Sequence, residues 1–292
     1  MNLTQQSLKY TDFTNVKLSR VADINVKSAT DRRRCDITDM AVIPGDLLLL
    51  ANFRNQSVKL ADLASGQLLD QLQLSGQPHR LCPLPGDRAA VSMKGQSVIQ
   101  TISVTMKKLS LQDVINIEGA CCGINNVNDY FVVGFDNPAK VVLIDKKGKI
   151  YKSITAKSKH LPLFKHPKYI CVTTENTSKV IYISDQGTKT ITRLSEELQV
   201  IQTFTDPLLK DPYGLVSLGG GQLLVVDNVG SSTSTLKVLD VTTGQVTVLL
   251  GWEENMRFTF CVAVSHALRT VYVTDYTKRC DVIRQYEYKF KY

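Results

Sequence analysis

The side chains best equipped for chemistry in this chain are cations set beside aromatic rings. Arg32, Arg33 and Arg34 follow one another directly. Arg54 lies between Phe53 and Asn55, Arg80 follows His79, and Lys94 follows Met93. Lys159, Lys165, Lys168 and Lys189 come next, then Tyr213, Arg257 and a Tyr276, Lys278, Arg279 cluster. A guanidinium is a planar fork that matches phosphate and carboxylate oxygens. Rings within a basic surface stack the bases of single strands. These residue types therefore point to anion binding. Catalytic sets are missing: there is no GxSxG, Walker loop, HExxH or CxxC, and the four histidines share no ligating spacing.

One stretch concentrates the charge. Residues 146–168 (KKGKIYKSITAKSKHLPLFKHPK) hold eight lysines, two histidines and no acid. With Tyr151 and Phe164 this is an electrostatic footprint for RNA or an acidic protein. The competing reading is a solvated outer strand whose lysines blunt an edge. For the chain as a whole, 35 basic residues against 27 acidic ones give +8, a mild preference for anionic partners.

The elements that must position these residues repeat. One pattern recurs six times at a spacing of roughly 41–47 residues: apolar strand, tight turn, apolar strand, polar loop, third strand, Gly turn, fourth strand. It is clearest at 47–72 (LLLLANFRNQSVKLADLASGQLLDQL), 130–154, 180–204 and 223–249. A period of this length built from short strands predicts an all-β, six-bladed β-propeller. The sixth repeat stops after its third strand at 281–290, while an early strand at 16–27 has no blade of its own. Pairing the two completes the last blade and closes the ring, which removes exposed edges. The expected layout is a tail over 1–15 and one propeller over 16–290.

Antiparallel blades sort loops by face. Connections between strands two and three, and those between blades, share one face; the remaining turns lie opposite. The first face collects the basic and aromatic residues named above, with fewer acids among them. Asp at strand ends there is expected to cap or turn the chain. Trp252 and Phe258 are expected to pack on the rim. The other face is turn chemistry, with Pro44-Gly45-Asp46, Pro85-Gly86-Asp87 and Gly219-Gly220-Gly221.

No stretch reaches 18 apolar residues, so no transmembrane helix is expected, and the polar N-terminus carries no secretory h-region. Seven cysteines, two of them adjacent, fit no disulfide framework or zinc spacing. Buried inert thiols in a reducing compartment, and a cytoplasmic location, are the reading.

The strand texts Val-Ile-Tyr-Ile-Ser-Asp (180–185), Leu-Leu-Val-Val-Asp-Asn (223–228), Leu-Lys-Val-Leu-Asp (236–240) and Val-Tyr-Val-Thr-Asp (271–275) resemble the NHL repeat. Over residues 16–290 the chain resembles the divergent NHL-like propeller of tripartite-motif proteins. The Asn-x-Arg step of that repeat is loose here, as at 53–58, and blade two has barely any motif. RING and B-box zinc modules are absent from this sequence. The resemblance implies a non-enzymatic recognition module that binds RNA, or another anionic partner such as an acidic protein, on the basic face. The alternative it implies is a protein-substrate receptor for a ubiquitin ligase whose RING lies elsewhere. A more remote alternative is a calcium-dependent lactonase-type propeller, drawing on Asp39, Asn125, Asn126, Asp227 and Asn228. Turn chemistry accounts for each of those residues, so no metal or other cofactor is expected. With no heptad run, a monomer is expected, with no membrane partner.

Overall fold

The computed structural model describes residues 11–158, 161–229, 233–254, 256–276 and 280–290. Six four-stranded antiparallel sheets follow one another around a central channel. Blade one is Ile37–Ile43, Leu47–Asn52, Ser57–Asp62 and Leu68–Gln73. Blade two is Pro78–Leu84, Arg88–Met93, Val98–Thr105 and Lys108–Asn116. Blade three is Cys121–Val127, Tyr130–Asp136, Ala139–Ile144 and Ile150–Ile154. Blade four is Pro167–Glu175, Ser178–Asp185, Thr190–Ser195 and Val200–Phe204. Blade five is Pro212–Gly219, Gln222–Val229, Thr233–Asp240 and Val246–Leu250.

Blade six takes Val262–Ser265, Thr270–Thr274 and Val282–Phe290, and its outer strand is Val16–Asn25 from the other end of the chain. The pairing runs from Val16 opposite Phe290 to Asn25 opposite Val282. The orphan strand therefore closes the ring as the repeat count predicts. Closure also begins earlier than Val16. Phe13 is fully buried, its amide donates to Gln222 Oε1 at 2.9 Å, and its ring lies 4.8 Å from that of Tyr288. Gln222 Nε2 in turn donates to Asp12 Oδ1 at 2.9 Å. The last residues of the expected tail thus latch onto blades five and six. The connection from blade three to blade four contains a short hairpin in which Ala156 pairs with Pro162.

Burial explains why the strands read as they do. A blade's middle strands are covered on both faces by neighbouring blades, so Leu47–Asn52 is buried throughout. Outer strands meet solvent, and Lys108–Asn116 exposes most of its residues. Ala41, Leu49, Leu60, Leu81, Val91 and Ile102 form one inter-blade core. Truncating a fully buried leucine there, such as Leu49, costs about 2–5 kcal/mol. The two PGD turns place consecutive residues in the left-handed region, with φ of +81° and +53° at Gly45 and Asp46 and +72° and +52° at Gly86 and Asp87. Gly and Asp tolerate that backbone where a β-branched residue does not.

Candidate anion-binding site

The innermost strand of each blade lines the channel, and its first residues face the loop side. That register carries Arg80 into the centre of the molecule, although the sequence places it in a loop. Arg80 Nε donates to the carbonyls of Cys122 at 3.1 Å and Lys168 at 3.3 Å, and Nη1 to that of Thr38 at 2.5 Å. One side chain from blade two thus ties together blades one, three and four. The guanidinium also stacks over the rings of Tyr169 at 5.0 Å and Tyr213 at 5.1 Å. Below it Asp39 accepts from the Leu81 amide at 2.8 Å, the Met40 amide at 2.9 Å and Tyr169 Oη at 2.5 Å. Burial works against the Arg80 charge, but Tyr213, Asp39 and Tyr169 hold its pKa above the ordinary value.

Above Arg80 a cavity of about 310 Å³ opens on the loop face. Phe53, Tyr213, Phe260 and Tyr276 give it aromatic walls, and His79, Arg80 and Lys94 give it its cations and imidazole. The Phe260 ring lies 5.2 Å from Tyr213 and 5.1 Å from Tyr276. Burial, reinforced by the positive charges of Arg80, Lys94 and Lys168, holds His79 well below the usual imidazole value. The one carboxylate among its described lining residues is Asp36, which accepts from Arg54 Nε at 3.2 Å. Burial raises Asp36, and Arg54 offsets that in part.

A second hollow, about 550 Å³, adjoins the first through the loop at 53–56. Thr30, Arg32, Arg33, Arg54, Asn55, Gln56, Gln73 and Gln77 line it, with no carboxylate among them. Its arginines are held from below. Asp31 is fully buried against Lys59, whose Nζ also donates to the Val26 carbonyl at 2.5 Å. Burial would raise the Asp31 pKa, yet the Lys59 bond wins and lowers it. The Arg33 amide donates to Asn55 Oδ1 at 3.0 Å, and Asn55 Nδ2 returns a bond to the Arg33 carbonyl at 3.1 Å. The backbone at 31–35 is therefore fixed while Arg32, Arg33 and Arg34 project into solvent.

The remaining candidates divide. Lys94, Lys165, Lys189 and Arg257 are exposed on the same face. Lys168 is committed to Asp136 Oδ2 at 2.7 Å. Burial opposes its charge, but Asp136 overrides that and raises its pKa. Tyr213 and Tyr276 are half-buried at the channel mouth. Lys159, Lys278 and Arg279 lie outside the described residues. Phe258 does not pack as expected; it is 44% exposed.

The 146–168 stretch does not converge on one surface. Lys146 pairs with Asp129 and Lys152 with Glu197 near the opposite face, Tyr151 stacks on Tyr130 at 4.9 Å, and Phe164 is core. Sequence sorting placed His79 on this face beside Arg80, whereas it did not single out Phe260.

Acids at strand ends do cap loops. Asp185 accepts from the amides of Lys165 and Thr188 at 2.8 Å, and Asp227 from that of Asp211 at 2.8 Å while paired with Lys237. Of the residues named for the lactonase alternative, Asp39 and Asp227 carry such bonds, Asn125 Nδ2 donates to the Ile170 carbonyl at 3.1 Å, and among the described residues no three His, Cys, Asp or Glu gather as a metal site. Six of the seven cysteines, Cys35, Cys82, Cys121, Cys122, Cys171 and Cys261, are buried thiols outside any disulfide. Burial pushes the Cys122 thiol up to about 11. No helix among the described residues is long and apolar enough to cross a membrane.

The whole propeller resembles solved structures. Virginiamycin B lyase from Staphylococcus aureus superposes with a TM-score of 0.62 at 14% identity, over 94% of this chain and 90% of that one. A catalytically inactive variant of that enzyme with quinupristin gives 0.63 at 14% identity, over 93% and 99%. Hydrazine synthase of Kuenenia stuttgartiensis gives 0.56 at 11%, over 85% of this chain and 77% of that one. At these identities the likeness is one of fold. No family model matches the chain, and no curated protein does.

Proposed function

We propose that this chain is a non-enzymatic recognition module that holds an extended anionic partner on its loop face, with RNA as the partner. The carrying observation is the convergence of Arg32, Arg33 and Arg54 on a hollow otherwise lined by side-chain amides and a threonine. Guanidiniums supply bidentate contacts to phosphate oxygens, and Asn and Gln amides donate to and accept from base edges. Neither group exchanges protons near neutral pH, so the chemistry offered is binding. The aromatic mouth next to the hollow adds ring faces on which bases stack. The likeness to the tripartite-motif propellers belongs to this proposal and supports it through strand texts alone.

The test is fluorescence anisotropy of the chain with a randomised single-stranded RNA pool at low and physiological salt. Each phosphate contact contributes a slope of about −0.7 in log affinity against log salt. Replacing Arg32, Arg33 and Arg54 by Glu should flatten that slope by about 2 and weaken binding more than tenfold. Binding that vanishes entirely at physiological salt, or is indifferent to these substitutions, refutes an RNA-reading face. An acidic protein segment that binds in place of RNA, with the same arginine dependence, would reassign the partner.

A further inference from the structure

The mouth of the channel holds more than a stacking surface needs. Arg80 is 1% exposed and His79 8% exposed, and both line the cavity. Arg80 spends Nε and Nη1 on three backbone carbonyls, which leaves Nη2 buried without a partner. Nδ1 of His79 is likewise buried and unpartnered. Buried polar groups normally have partners, and two residues that line one cavity each hold such an orphan, which points to a ligand. Three of the four rings form a connected wall, Tyr213 to Phe260 to Tyr276. Across the lining, the charges of Arg80 and Lys94 outweigh that of Asp36, which Arg54 already engages.

We propose that this mouth is a separate small-ligand site, taking a flat ring that carries one oxyanion. The ring fills the space between Phe53 and the Tyr213, Phe260, Tyr276 wall. The oxyanion lies against Arg80 and His79 with Lys94 over it. A volume of about 310 Å³ matches a single substituted ring and is too small for a folded segment. The two orphan nitrogens are shut off from water, so the ligand arrives as the half-buried Tyr213 and Tyr276 rings turn aside. This site is distinct from the arginine hollow and does not require a polymer.

The experiment is isothermal titration of the full chain with benzoate, phenyl phosphate, inorganic phosphate and phenol. Benzoate or phenyl phosphate should bind at least roughly tenfold more tightly than inorganic phosphate or phenol, since ring and anion are read together. Whichever of the two is tighter assigns carboxylate or phosphate as the natural group. Tyr276→Ala should weaken the better ligand about tenfold with a cooperative melting transition retained, and Lys94→Gln, at an exposed residue, a few-fold without lowering the melting temperature. Arg32→Ala with Arg33→Ala should leave it within about twofold, which separates this site from the RNA reading. Equal affinity for phosphate and phenyl phosphate, or no response to either Tyr276→Ala or Lys94→Gln, would overturn the proposal.

Discussion

The two ends of the channel are built from the same six strands and differ in kind. At the loop end four of those strands begin with polar or aromatic residues: Thr38 and Asp39, His79 and Arg80, Lys168 and Tyr169, and Tyr213. From the next residue on, Met40, Val42, Leu81, Pro83, Val172 and Leu215, with Val262 and Val264 of blade six, line a cavity of about 360 Å³ relieved by Asn125 and Ser217. The layer of Asp39, Arg80 and Tyr169 separates the two. In blades one, two, four and five the inner strand thus runs from chemistry to packing, whereas blade three carries thiols and then Asn125, and blade six is apolar from Val262. A propeller built this way keeps its binding groups on one face and leaves the other for closure of the core.

The largest effect should come from breaking the separating layer. Arg80→Met strands three backbone carbonyls and the buried Asp39 charge, and removing one partner of a buried charge network costs about 3–5 kcal/mol. Val216→Ala, a half-buried residue in the apolar half, should cost about 1 kcal/mol. Urea unfolding of the two variants measures the contrast. Comparable losses would show that the polar layer has no special structural weight.

Lys59→Met should come next. It leaves Asp31 buried and unpaired, again about 3–5 kcal/mol, and frees the segment that presents Arg32 and Arg33. Adding Asp31→Leu should restore most of the stability, because replacing both ions with apolar groups removes the unpaired charge. If anion binding stays low in the stable double variant, the ion pair positions the arginines; full recovery would assign it to stability alone.

A smaller effect tests the electrostatics of the mouth. His79 is buried with its imidazolium disfavoured, while the unfolded chain accepts that proton near pH 6.5. The unfolded state therefore binds more protons below pH 6.5. Stability from this group is present above that value and falls as pH drops toward the depressed folded value, by at most about 1.4 kcal/mol per pH unit. His79→Gln should flatten the stability curve between pH 7.5 and 5.5. An unchanged slope would mean the imidazole is not shielded by its surroundings.

The contrast between the two ends also marks how far the sequence could be read. Six blades and their closure were legible because the strand at Val16–Asn25 and the three-stranded last repeat are complementary deficits. The sorting of loops was legible because antiparallel strands alternate direction, and it does bring Arg32, Arg33, Arg54, Lys94, Tyr213 and Tyr276 to one face. The depth of Arg80 was not legible. Its burial is decided by carbonyls 42 and 88 positions away, while its local text, His-Arg before an apolar run, reads as a loop. Nor was the staple beneath Asp31, although a lysine inside an apolar third strand recurs at Lys59 and Lys237, each paired with a buried Asp. That recurrence is the signal that finds such pairs.

The central claim is that geometry on the loop face, and not net charge, selects the anionic partner. Two variants test it by RNA anisotropy at physiological salt. One replaces Arg32, Arg33 and Arg54 by Glu; the other replaces Lys146, Lys147 and Lys149, exposed in a turn on the opposite face. Three reversals of two charges each take the formal charge from +8 to about +2 in both. The account predicts a loss of more than roughly tenfold for the arginine variant and about twofold or less for the lysine variant. Equal losses would contradict it, leaving only the attraction of a cationic protein for a polyanion.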